Sequence, residues 1–282
     1  KNKMRFLSSV NNDIVLGSTG KEQTTSIIID ADHDGTNEFI ITERTKGPSI
    51  VLYKYNKGKW DHFIIDSQPL EIEAGGTCWD IDSDGDLDIV LGGDWRSNQQ
   101  WWWENPYPDF DRTKPWKRYT IKNSGSPKHH DQIFGDFDGD GKGELVFWNQ
   151  DSKMLCLAEI PENPKIAETW EFFPVYEYSS DGQMYQRGND FAPSWKKINE
   201  HEGLAKADID GDGIDDIVGG GYWFKHKEGK HYTQHVIDES NVFSRSGAGQ
   251  LIEGGRPEVV FVTGEGIRSE EHTSELQSRQ SI

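Results

Sequence analysis

Asp30, Asp32, Asp34 and Glu38 stand at positions 1, 3, 5 and 9 of a short loop whose sixth position is Gly35. The same text recurs as Asp80, Asp82, Asp84 and Asp88 around Gly85, as Asp136, Asp138, Asp140 and Glu144 around Gly141, and as Asp208, Asp210, Asp212 and Asp216 around Gly213. Carboxylates at these spacings, folded back by a glycine turn, bring several hard oxygens to one point, which is the donor set that Ca²⁺ prefers. An EF-hand would add a bidentate Glu at position 12. That position holds Ile41, Leu91, Phe147 and Gly219, and each loop runs into a short apolar strand pattern, so the EF-hand is excluded. One ligand set repeated four times describes a structural ion clip rather than a single active centre. Four Ca²⁺ sites are expected.

A second group could do chemistry of another kind. Positions seven and six before the first Asp of a loop hold Glu73 and Ala74, His129 and His130, and His201 and Glu202, with Asp131 next in the third unit. Imidazole beside carboxylate suits a Zn²⁺ or other divalent ion, or general acid–base catalysis, so His130, Asp131, His201 and Glu202 are the candidate catalytic residues. The alternative is that they cap strands and hydrate a channel. Trp95, Trp103, Tyr107 and Trp195 are flat rings with a polar edge that could stack on a sugar, with core packing as the alternative. No Ser/His/Asp order and no P-loop occurs, and no helix pattern follows GGGYWF at Gly219 to Phe224, so phosphate cradling is excluded.

Aligning the chain on the first Asp of each loop shows the elements that must hold these residues. An inner strand precedes each loop, at Thr24 to Ile29, Gly76 to Trp79, Gln132 to Gly135 and Gly203 to Ala207. A β-type run follows it, at Phe39 to Thr42, Ile89 to Leu91, Leu145 to Trp148 and Ile217 to Val218. Third strands are expected at Ile50 to Tyr55, Gln100 to Glu104, Met154 to Ile160 and Tyr222 to His226. Fourth strands carry an aromatic and then an apolar residue, as Trp60 with Ile65, Trp116 with Ile121, Trp170 with Val175 and Tyr232 with Ile237. Four antiparallel strands repeated around a centre make an all-β propeller. Blades are expected at 23–66, 75–122, 128–175 and 200–238, with a partial blade at 244–267 and a preceding outer strand at Met4 to Val10. The propeller is thus read as incomplete, over 1–267. In the fifth unit Glu253, Gly254, Gly255 and Arg256 replace the ligand pattern. Inner strands line a propeller's channel, so the His and acidic residues at their starts converge on one mouth, at the opposite end from the calcium loops.

DIDSDGDLDIVLGG at Asp80 to Gly93, DFDGDGKGELVFW at Asp136 to Trp148 and DIDGDGIDDIVGGG at Asp208 to Gly221 resemble FG-GAP or VCBS-type repeats. These are the calcium-loop blades of integrin α-subunit propellers and of many secreted bacterial proteins. The resemblance spans Thr24 to Asp238 and implies a propeller with bound calcium. WWWENP at Trp101 to Pro106 and the His-rich blade starts are similar to the propellers of sugar-acting enzymes, the rhamnogalacturonan lyases and aldos-2-ulose dehydratase. Two functions follow: an exported module that binds a carbohydrate or protein ligand, or part of a sugar-converting lyase or dehydratase.

The chain has 282 residues and a formal charge of −19, without the basic stripe that a nucleic-acid partner needs. The four sets of ligand positions supply 16 of its 49 Asp and Glu. Cys78 and Cys156 lie in different repeats with no metal-type spacing and read as two buried thiols. No apolar run is long enough to span a bilayer, and no membrane insertion is expected. Calcium sites of extracellular modules fill at roughly 10⁻⁴ to 10⁻³ M, which predicts an extracellular or periplasmic protein whose signal peptide lies outside this fragment. RSEEHTSELQS at Arg268 to Ser278 resembles the translation of a short-read sequencing adapter, so 268–282 is expected to be a non-native, disordered tail and the natural frame to stop near Ile267.

Overall fold

Runs of β-branched and aromatic residues on either side of each loop form strands, because their side chains fill the half-buried faces of a pleated sheet. A computed structural model describes residues 7–111, 113–179, 200–239 and 244–263, and among these no α-helix forms. Four antiparallel sheets of four strands follow in chain order, each a simple meander. The first is β1 (Gln23–Ile29), β2 (Glu38–Glu43), β3 (Ile50–Asn56) and β4 (Lys59–Asp66). The second is β5 (Ile72–Trp79), β6 (Asp88–Gly93), β7 (Gln100–Glu104) and β8 (Lys117–Lys122). The third is β9 (His129–Gly135), β10 (Glu144–Asn149), β11 (Met154–Glu159) and β12 (Phe172–Glu177), and the fourth β13 (Leu204–Ala207), β14 (Asp216–Gly219), β15 (Tyr222–Glu228) and β16 (His231–Val236). A two-stranded sheet, β17 (Ser244–Gly249) with β18 (Glu258–Thr263), completes the set. The four-stranded sheets are propeller-type blades, each with one acidic loop between its first and second strands.

The chain forms two compact units. Lys1–Ser124 and Asn163–Thr169 make the first, and Gly125–Glu162 with Trp170–Ile282 make the second. In the first unit, Ile27, Ile40 and Leu52 of the first sheet share one core with Ile89, Leu91, Trp101 and Trp103 of the second. Their inner strands are pinned together where Thr24 and Thr25 donate their hydroxyls to the carbonyls of Ile72 and Glu73, at 3.0 and 3.1 Å. In the second unit, Val146, Trp148 and Leu155 pack against Ile217, Tyr222 and Phe224. Val218 and Trp223 in turn meet Val259 and Phe261 of β18. Successive side chains on β7 alternate faces, so Trp101 and Trp103 enter the shared core while Trp102 turns the other way and stacks on Tyr119, ring centres 4.4 Å apart.

Two expectations change. Leu7 to Val10 form no strand; Ser8, Ser9, Asn12 and Asp13 instead close a turn through Asp13 N–H to Ser8 C=O, as chains rich in Ser, Asn and Asp tend to do. Cys156 is buried as expected but Cys78 is only half-buried, and neither is in a disulfide. Residues 4–6 of the expected preceding strand, Trp195 and the 268–282 tail lie outside the described residues.

Candidate functional site

Each acidic loop is folded by the same backbone bonds, and these explain why its sequence takes its form. The position 1 carboxylate accepts the N–H of the position 6 glycine, from Gly35 to Asp30, Gly85 to Asp80, Gly141 to Asp136 and Gly213 to Asp208, at 2.9 to 3.1 Å. Those glycines have φ between 80° and 98°, in open space, so backbone torsion rather than crowding selects glycine. The position 9 carboxylate reaches back to the N–H of position 2, where Glu38 takes Ala31, Asp88 takes Ile81, Glu144 takes Phe137 and Asp216 takes Ile209, at 2.8 to 3.1 Å. The position 2 side chains are buried, which anchors each loop in the core.

Ligand atoms within 4.8 Å of one another are offered by Asp136, Asp138, Asp140 and Glu144 in the third loop. Asp30, Asp32 and Glu38, Asp80, Asp82 and Asp84, and Asp208, Asp210 and Asp212 form corresponding groups of three. Among the described residues these four groups are the ones that could close on one ion. Buried carboxylate oxygens without a hydrogen-bond partner, Oδ1 of Asp30, Asp32, Asp82 and Asp210, mark the same places. Hard oxygens with unmet acceptors fit a hard divalent cation, and the loops would hold it as a clip. Crowding shows in the acidities. Burial, reinforced by neighbouring loop carboxylates, pushes Asp88 up to about 8 and Asp86, Glu144 and Asp216 up to about 7.

Lysine ammonium groups reach three of the loops. Lys54 Nζ lies 2.5, 2.7 and 3.1 Å from Asp32, Asp34 and Glu38. Lys225 pairs with Asp210 and, at 2.6 Å, with Asp212. Lys165, on the connection between β11 and β12, lies 2.5 Å from Asp82 and 2.6 Å from Glu104. None of these lysines was marked by the loop pattern.

The second candidate group is assembled by a bulge. Trp148 faces His130 and Phe147 faces Gln132, which leaves Asp131 unpaired on β9 with φ 46°. The bulge aims the Asp131 carboxylate at the Gly203 N–H, 2.8 Å away, and at His130 Nδ1, 2.9 Å away. His130 Nε2 lies 3.3 Å from Glu202, and Arg245 on β17 closes the group at 2.8 Å from Glu202 and 3.5 Å from Asp131. Both ring nitrogens thus face carboxylate oxygens, which only the doubly protonated imidazolium satisfies. Burial opposes that charge, but Asp131 and Glu202 hold His130 above its ordinary value. Burial would likewise raise Asp131, yet His130 and Arg245 hold it down, while burial raises Glu202. A closed network of two cations and two carboxylates leaves neither nitrogen for a metal or for proton abstraction, so these residues do not fit the Zn²⁺ expected here.

His201 does not join this group. Its ring lies 3.8 Å from that of Tyr178 and 5.3 Å from that of Trp148, with Tyr176 and Tyr222 around it, and its nitrogens have no hydrogen-bond partner among the described residues. Burial lowers its pKa to about 3. Glu73 lies in the first unit, paired with Arg44. We expect Glu202→Gln to cost about 1.5 kcal/mol by weakening charged hydrogen bonds. Urea unfolding of the second unit measures this, and a change under 0.5 kcal/mol, read as within the ordinary surface range, would remove the network's structural role.

The aromatic candidates do not form one surface. Trp103 is fully buried, its indole N–H donating to Asp66 at 3.1 Å, so it cannot stack on a sugar. Trp95 lies in the turn between β6 and β7 and is 60% exposed. Tyr107 follows the far end of β7, at the loop end of the blade, and stacks on His33 of the first loop, ring centres 4.7 Å apart. Trp95 and Tyr107 therefore stand at opposite ends of one strand.

Residues 80–147 match the family model of the FG-GAP-like repeat, which joins the second and third acidic loops with the strands between them. No curated protein matches the sequence. The V. cholerae biofilm matrix protein Bap1 is similar in structure at 15% identity and TM-score 0.47, over 86% of this chain and 35% of that one. Rhamnogalacturonan lyase YesW is similar at 15% identity and TM-score 0.45, over 86% of this chain and 46% of that one. The chain spans less than half the length of either.

Proposed function

We propose that this chain is a calcium-stabilised, exported β-propeller module that binds a carbohydrate or protein ligand at the blade ends opposite its acidic loops. The observation that carries the reading is the convergence of Asp136, Asp138, Asp140 and Glu144 within 4.8 Å, repeated in part by the other three loops. Such sites fill at roughly 10⁻⁴ to 10⁻³ M Ca²⁺, concentrations met outside the cytoplasm. A carbohydrate contact is favoured at Trp95, whose exposed ring lies 4.9 Å from the guanidinium carbon of Arg96 and offers a sugar both an apolar face and a donor. The alternative, part of a sugar-converting enzyme working through His130, Asp131, His201 and Glu202, has less support. His130 is closed between two carboxylates and His201 faces aromatic rings.

Affinity electrophoresis of the calcium-loaded chain in gels containing pectic, xylan or bacterial exopolysaccharide tests the carbohydrate arm. We expect retardation by at least one polymer and its loss in Trp95→Ala. Equal mobility of the two proteins in every gel would remove Trp95 as a sugar contact, and a pull-down of a protein ligand would then decide the other arm.

A further inference from the structure

The residue facing position 9 across the second and third strands of each blade divides the four acidic loops into two kinds. Antiparallel pairing sets Phe39 opposite Tyr53, Ile89 opposite Trp103, Glu144 opposite Glu159 and Ile217 opposite Phe224. Directly in the third blade, and one step along the ladder in the other three, position 9 therefore faces Lys54 in the first blade, Glu104 in the second, Glu159 in the third and Lys225 in the fourth. The side chains follow this division. Lys54 contacts three carboxylates of the first loop, and Lys225 contacts two of the fourth. In the third, Lys142 of the loop itself is exposed, and among the described residues its one ion pair is with Asp140, at 3.2 Å. That loop is also where all four carboxylates close on a common point.

We infer that the first and fourth loops are clipped by a tethered lysine ammonium in place of a metal ion, while the second and third take Ca²⁺. This rests on the calcium reading above and sets which loops obey it. The physical argument is one of effective concentration. A tethered group is presented to its site at millimolar concentration or above without losing translational freedom. Calcium at a site of the extracellular kind must compete with it at roughly 10⁻⁴ to 10⁻³ M. An ammonium supplies one positive charge and up to three donors to carboxylates that crowding would otherwise leave unmatched. The blade thereby keeps its clip without an ion. In the second and third blades the facing residue is a glutamate, which adds negative charge beside the ligand set and favours a divalent ion.

The second loop has a further control. Lys165 reaches Asp82 and Glu104 from a connection rather than from the facing strand. Calcium entering there must displace it, so the second loop binds more weakly than the third.

Equilibrium dialysis of the full decalcified chain against Ca²⁺ up to 1 mM, at fixed ionic strength, tests the assignment. The wild type should bind two equivalents, and Lys54→Glu and Lys225→Glu should each raise the count by one. Lys165→Gln should keep two equivalents and tighten the weaker by roughly tenfold, about 1.4 kcal/mol. Four equivalents in the wild type would overturn the lysine assignment and leave the calcium reading standing, whereas none would overturn both. Should a glutamate variant fail to fold, Lys54→Gln provides the check. It should melt below the wild type in chelator and recover with Ca²⁺, and a melt equal to the wild type in both conditions would overturn the assignment.

Discussion

We expect chelation to lower the melting temperature of both units and about 2 mM Ca²⁺ to recover it. At that concentration and a Kd of about 10⁻⁴ M, each filled site contributes RT ln 21, about 1.8 kcal/mol. The third loop should give the second unit this contribution, a shift of roughly 4 to 8 °C in its melt, and the second loop, weakened by Lys165, should give the first unit a smaller shift of the same sign. Differential scanning calorimetry with and without EGTA reads it, with Mg²⁺ as the control for unspecific charge screening. Mg²⁺ demands tighter octahedral geometry and releases its water reluctantly, so it should recover less than Ca²⁺. Superimposable traces in EGTA and Ca²⁺ would remove calcium from the account of this fold.

We expect His201 to make the second unit acid-sensitive and His201→Phe to relieve it. Its folded pKa is about 3, pushed down by burial, against an unfolded value near 6.5. A depressed histidine pKa means that the unfolded chain takes up the proton first. The stability contributed by the neutral ring is whole above about pH 6.5 and is lost as pH falls toward 3. Between pH 7 and pH 5 the loss is about 2 kcal/mol at 1.36 kcal/mol per unit. His130 works with the opposite sign, since its raised pKa contributes stability at low pH that is lost as pH rises. The effect of His201 is therefore isolated by comparing wild type and variant at each pH. Urea unfolding at pH 7, 6 and 5 should show the variant gaining on the wild type as pH falls. Parallel lines would mean that His201 is protonated or solvated in the folded chain.

The loops and the blade meander could be read in the residues because both are local. A carboxylate at position 1 bonds an N–H five residues on, and strand alternation is fixed by neighbours in sequence. The lysines could not be read that way. Lys54 and Lys225 meet their loops across strand ladders whose connections differ in length, so the pairing appears only once the register is known. Lys165 arrives from another blade's connection, and Arg245 from a strand beyond the fourth sheet. The orientation of His201 left a signal that was available. Adjacent side chains on extended chain point to opposite sides, so His201 and Glu202 could not both join His130. Trp103 follows the same rule, since it shares the buried face of Trp101.

The β11–β12 connection bears on where this protein can be divided. Asn163–Thr169 belong to the first unit although the chain has already entered the third sheet, so that unit is stitched from two separate lengths of polypeptide. A piece cut at Ser124 keeps both of its sheets but loses the ammonium of Lys165 from Asp82 and Glu104. Without Ca²⁺ its second loop would then face solvent with its charge uncompensated. Modular borrowing of these two blades, by recombination or by design, thus has to carry the distant stitch along or supply an ion in its stead.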